Sequence, residues 1–386
     1  MTAPRGVQDS VSDGSAQGGL ESVSTAERVA SLTGVRAVAA LLVVLTHAAY
    51  TTGKYAQGFA GLVYSRMEIG VPIFFVLSGF LLFGPWVRAA ARGGPPPSVR
   101  RYAWHRVRRI MPAYIVTVLA AYLVYHFRTA GPNPGHTWEG LFRNLTLTQI
   151  YTDSYLYSFL HQGLTQMWSL AVEAAFYVVL PLMAYVLLVL LCRRAWRPGV
   201  LLAGLAAFVA VSPLSLWLVH SVDWLPDGAR LWLPTYLAWF VGGMLLAVLQ
   251  AMGVRVYALV AIPLAVVCYL IASTPIAGEP TTSPAALREA LVKTGFYAVI
   301  ATLTVAPLAL GDRGFYSRVM ASRPMVFLGE ISFEIFLIHL VTMELVMVEI
   351  LRYPIYTGSM VGLFVGTMVV TIPLAWLLHR FTRVRS

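Results

Sequence analysis

Apolar residues do not alternate along this chain; they run in blocks near twenty residues long, separated by short polar or basic stretches. Blocks of that length match the hydrocarbon thickness of a bilayer when coiled as α-helix. Ten spans are expected, at 35–50, 69–87, 111–127, 167–191, 200–220, 231–250, 254–273, 291–310, 326–350 and 357–379. The fold class is therefore all-α, a polytopic membrane protein of about ten transmembrane helices. Residues 1–28 are polar and rich in Ser and Gly, and they read as a disordered cytoplasmic tail. Residues 29–386 form the membrane domain, and no soluble domain is expected beside it. No internal repeat stands out.

Composition agrees with the pattern. Of 386 residues, 58% are hydrophobic and 12% charged, about half the charge fraction of a soluble domain. The net charge of +11 is explained by topology. Arg88, Arg92, Arg100, Arg101, Arg106, Arg108, Arg109, Arg193, Arg194, Arg197, Arg255, Arg313, Arg318, Arg323, Arg380, Arg383 and Arg385 fall on one side. By the positive-inside bias that side is cytoplasmic, as are both termini; a bacterial-type cell (inner) membrane is the expected location. A nucleic-acid partner is not needed to explain the charge. Cys192 and Cys268 lie in or beside apolar spans without paired spacing, so neither a disulfide nor a thiolate metal site is expected.

A few polar residues interrupt the apolar blocks, and these carry the candidate chemistry. Arg36 and His47 are eleven residues apart in GVRAVAALLVVLTHAAY. Eleven helical steps bring both onto one face, about 16 Å apart along the axis. A neutral imidazole in an apolar site is poised to accept a proton, which suits a general base acting on a hydroxyl. The competing reading is a hydrogen bond to a neighbouring helix.

Arg106, Arg108 and Arg109 stand in a basic loop expected at 88–110, just ahead of Pro112 near the start of the third span. They can anchor that span at the headgroups or grip phosphates with guanidinium forks. Arg106 and Arg109 share a face if the loop end is already helical. In QMWSLAVEAAFYVVLPL, Ser169, Glu173 and Tyr177 recur every four residues on one stripe beside Trp168. Glu173 is a candidate support for His47, a partner for an arginine, or a group that positions a substrate hydroxyl. In the ninth span Ser332 and His339 face the same way, while Glu334 points elsewhere and needs its own partner. His339 reads as a supporting donor or a helix tie. Ser78 and Gly79 permit close helix packing with a hydrogen bond across it.

These five segments, in this order, resemble the acyltransferase-3 family of membrane-bound O-acyltransferases, with the resemblance covering residues 33–340. Its arginine–histidine signature is met by Arg36 and His47. Its SGF segment is met by Ser78, Gly79 and Phe80, and its paired arginines by Arg106 and Arg109. Its WSL-x-x-E block is met by Trp168, Ser169, Leu170 and Glu173. A late pattern is met at Ser332, Leu337 and His339, with Phe333 and Phe336 where tyrosines are common.

The resemblance implies catalytic roles for His47 and Glu173. It implies donor binding by Arg36, Arg106, Arg108 and Arg109, with Ser78, Trp168, Ser169, Tyr177, Ser332 and His339 in support. The implied reaction moves a short acyl group, acetyl or similar, from acyl-CoA to a hydroxyl of a sugar, glycosylated antibiotic or envelope glycan. Acyl-CoA is then a donor substrate, with no permanently bound cofactor and no metal. The bilayer is a further partner. A proton-coupled transporter is the alternative that the buried Glu and His residues also suit.

Overall fold

A computed structural model describes residues 13–128, 132–153, 161–280 and 286–383, with side chains from residue 27 onward. Among these residues the chain is helical and contains no strand. Each expected span falls on a helix. Eight helices are long and apolar enough to cross a bilayer: Glu27–Thr51, Gly58–Ala91, Val99–Phe127, Gln162–Leu191, Pro198–Ser221, Asp227–Ala251, Leu287–Ala309 and Met360–Thr382. The span expected at 326–350 is broken, with Arg323–Glu330 and Ser332–Ile350 meeting at 69°. The span expected at 254–273 is the short helix Ala258–Ala272.

In chain order the α-helices are α1 (Asp13–Thr51), α2 (Gly58–Arg66), α3 (Gly70–Ala91), α4 (Val99–Phe127) and α5 (Trp138–Leu145). They continue as α6 (Trp168–Tyr185), α7 (Pro198–Ser221), α8 (Leu233–Ala251), α9 (Ala258–Ala272) and α10 (Leu287–Ala309). The last four are α11 (Phe315–Met320), α12 (Arg323–Glu330), α13 (Ser332–Leu345) and α14 (Met360–Thr382). Residues 1–12 of the expected tail lie outside the described residues, and residues from Asp13 onward are continuous with α1.

The basic segment at 88–110 is not a loop. α3 persists to Ala91, and α4 begins at Val99, where Ser98 caps it by accepting from the Arg101 amide at 3.4 Å. Pro112 therefore sits in the interior of α4 rather than in its first turn. The physical reason is local: a serine N-cap satisfies one orphan amide, so a helix can start well before the apolar block does.

The centre of the bundle is the contact of α3 with α8. A Cβ on Gly79 would strike the Phe240 carbonyl, and one on Gly243 would strike the Val76 carbonyl, so the two backbones touch where neither helix has a side chain. Phe75, Phe240 and Phe176 stack beside them, with centroids 4.2 and 4.0 Å apart, which fastens α6 to the same core. Gly79→Val would force this interface apart. The expected loss is about 1–3 kcal/mol, read as a lower thermal unfolding temperature in detergent; an unchanged transition would contradict the packing.

Candidate functional site

Five helices enclose a cavity of about 280 Å³. α1 contributes Arg36, α3 Ser78, α4 Arg106 and Arg109, α6 Ser169, Glu173 and Tyr177, and α13 Phe333 and Phe336. Residues from four separated sequence segments thus meet around one space. Arg106 and Arg109 share the cavity face because α4 is already helical there. Arg36 is within electrostatic reach of both Arg109 and Glu173. The Nε of Arg106 is buried and meets no hydrogen-bond partner among the described residues.

Other expected residues do not reach the cavity. Arg108 is exposed and stacks its guanidinium over Trp104 at 5.7 Å, pointing away from Arg106 and Arg109 as helical geometry requires. Trp168 packs on Tyr236, with centroids 5.1 Å apart. Ser332 Oγ is buried and donates to the Gly329 carbonyl at 2.8 Å, tying the bend between α12 and α13.

The expected pairing of Glu173 with His47 is not what the structure shows. Glu173 Oε1 accepts a hydrogen bond from Ser78 Oγ, which joins α6 to α3. Glu173 lies at the level of Arg36, and about three helical turns of α1 separate Arg36 from His47. The partner of His47 is His339: their rings are 5.0 Å apart, with His339 Nε2 3.2 Å from His47 Nδ1.

This pair fixes a tautomer. His339 Nδ1 donates to the Phe336 carbonyl at 2.7 Å, so in the neutral ring Nε2 is the acceptor. His47 Nδ1 then faces two acceptors, His339 Nε2 and the Val43 carbonyl at 2.8 Å. It must carry the proton, which leaves His47 Nε2 bare. No partner meets that nitrogen among the described residues. His47 is half-buried and His339 fully buried.

Phe336 connects the histidines to the cavity. Its ring lines the cavity, stands 5.9 Å from that of His339 and meets Phe74, another lining residue, edge-on at 6.3 Å. The histidine pair therefore lies one aromatic layer beyond the arginine cavity. Gln166 Nε2 holds this part of α13 in place by donating to the Leu337 carbonyl at 2.8 Å. Neither Phe74 nor Gln166 carried a signal in the sequence, because an apolar ring in an apolar block and a lone amide beside a span are both ordinary. Glu334 has its separate partner in His379, whose Nδ1 is 2.9 Å from Oε1.

A family model described as an acyltransferase domain matches residues 29–380. Acyltransferase MdmB of Streptomyces mycarofaciens is 35% identical over 191 residues, which cover 48% of this chain and 46% of that relative. The matched part is thus less than half the length of the curated relative. No solved structure matches.

Proposed function

This chain belongs to the acyltransferase family matched over residues 29–380, and we propose that it moves a short acyl group from acyl-CoA to an alcohol, with His47 as general base. The observation that carries the reading is the bare Nε2 of His47, one aromatic layer from a cavity lined by Arg36, Arg106 and Arg109. The arginine-rich side is cytoplasmic in this reading, in a cell inner membrane, with both termini on that side.

Arg106 and Arg109 grip the phosphates of the coenzyme, and the unmet Nε of Arg106 is a donor awaiting such an anion. Arg36 extends the positive wall inward. Glu173 is bonded to Ser78 and lies close to Arg36. Its role is to hold that arginine in line rather than to touch His47. The thin pantetheine arm passes the Phe74–Phe336 edge to bring the thioester to His47.

His47 Nε2 then removes the proton of the acceptor hydroxyl as its oxygen attacks the thioester carbon. The C–S bond breaks, and the thiolate leaves with the proton that His47 releases. Ester and free CoA thiol are the products. During the step His339 Nε2 accepts from His47 Nδ1–H and shares the developing imidazolium charge. The acyl group is short, acetyl or similar, and the acceptor class is a hydroxylated sugar, glycosylated antibiotic or envelope glycan.

The test is thiol release. Purified protein given labelled acetyl-CoA and a panel of hydroxylated acceptors should liberate CoA thiol and label an acceptor, read by mass spectrometry. The broken α12–α13 span would equally suit a proton-coupled carrier. A carrier would move solute across vesicles and release no thiol.

A further inference from the structure

A second cavity, of about 450 Å³, opens among the helix ends on the arginine-rich side. Arg28 enters it from α1, Arg255 from the link between α8 and α9, and Arg313 from the link between α10 and α11. Among the described residues none of the three guanidiniums has an ion pair or side-chain hydrogen bond. Two carboxylates share the wall, Glu27 and Asp312. That of Asp312 is already engaged, accepting from the Ala258 amide at 3.3 Å and the Gly314 amide at 3.0 Å. Three cations from separate elements thus line a polar space that also holds two carboxylates, which leaves an excess of positive charge.

This space is distinct from the arginine cavity described above. Arg28 and Arg36 are eight positions apart on α1, about 12 Å along the axis and about 80° around it. The first cavity is lined by α1, α3, α4, α6 and α13, whereas the second is bounded by α1 and by the ends of α8, α9, α10 and α11, so α1 alone is common to both linings.

The surroundings say what kind of anion fits. Tyr257, 61% exposed, lines the cavity and leads into α9. From there α9 presents Leu259, 86% exposed, and Val260, 69% exposed, with Leu264, Val267 and Ile271 continuing the apolar surface. α9 has 15 residues and spans about 22 Å, short of the ~30 Å hydrocarbon core. A bilayer thins beside so short a span, which draws headgroups towards its end. Guanidinium groups bind phosphate, and basic recesses between helices on the inner side select anionic lipid.

We propose that this cavity binds the phosphate headgroup of an anionic phospholipid, whose acyl chains lie along the exposed face of α9. The shared chemistry is a phosphate anion held by Arg28, Arg255 and Arg313, and the apolar run on α9 favours the lipid over free phosphate.

The experiment places the full chain in nanodiscs of phosphatidylcholine, with and without phosphatidylglycerol. Phosphatidylglycerol should raise the unfolding temperature by about 3 °C, and native mass spectrometry should find it retained. The triple variant Arg28→Gln, Arg255→Gln, Arg313→Gln should lose both effects while unfolding like the parent in phosphatidylcholine alone. An undiminished increment in the variant would overturn the proposal. Inorganic phosphate producing the same shift in phosphatidylcholine discs would overturn the lipid and leave a free-phosphate site. If the triple variant does not fold, Arg255→Gln alone decides: weakened retention supports the site, full retention rejects it.

Discussion

Replacing His47 by Ala is expected to lower turnover by about 10²–10⁴-fold, the usual contribution of a positioned acid–base group. Acyl-CoA binding should remain close to that of the parent protein. The reason is the division of labour along α1: Arg36, which lines the cavity, lies about three turns from the imidazole, so loss of the ring leaves the arginine wall in place. The measurement is single-turnover transfer from labelled acetyl-CoA, with donor affinity followed by calorimetry.

His339→Gln separates the two histidines. Its carbonyl oxygen can still accept from His47 Nδ1–H, so turnover should fall far less than in His47→Ala. His339→Ala removes that acceptor but leaves the Val43 carbonyl, so it should fall in between. Full turnover in His47→Ala would remove the imidazole from the reaction. Equal losses in His47→Ala and His339→Gln would mean that the pair acts as a structural tie.

The spans were legible because hydrocarbon thickness is written directly into block length, and even the broken and short members fell where apolar runs indicated. The start of α4 was not, because its first turns are basic and amphipathic rather than apolar, and the Ser98 cap that begins it is one of many serines. Within the site, helical periodicity placed Arg36 in line with His47, and Ser169, Glu173 and Tyr177 on one cavity-facing stripe. Periodicity reports which residues share a face of one helix; it carries nothing about which neighbouring helix meets that face, or at what depth. Glu173 was therefore free to be paired with His47 on paper, while in the fold Ser78 takes it and His339 takes the histidine. Arg108 shows the same limit: its charge is indistinguishable from that of its neighbours, and only the phase of α4 sets it outside.

That phase gives the strongest test of donor binding. The double variant Arg106→Gln, Arg109→Gln should raise KM for acyl-CoA by about 100-fold or more, since each charge-assisted hydrogen bond contributes about 1.5–3 kcal/mol. kcat at saturating donor should change little, because neither guanidinium approaches the reacting carbon. Arg108→Gln should leave KM unchanged, since its side chain lies over Trp104 outside the cavity. The three substitutions alter the same membrane-surface charge, so a purely topological or headgroup-anchoring role predicts similar behaviour at all three positions. Salt sharpens the contrast: raising ionic strength should weaken donor affinity in the parent and have less effect on the double variant, which has already lost those contacts. A donor KM that stays at the parent value in the double variant would return Arg106 and Arg109 to membrane anchoring and leave the cavity without a phosphate-binding role.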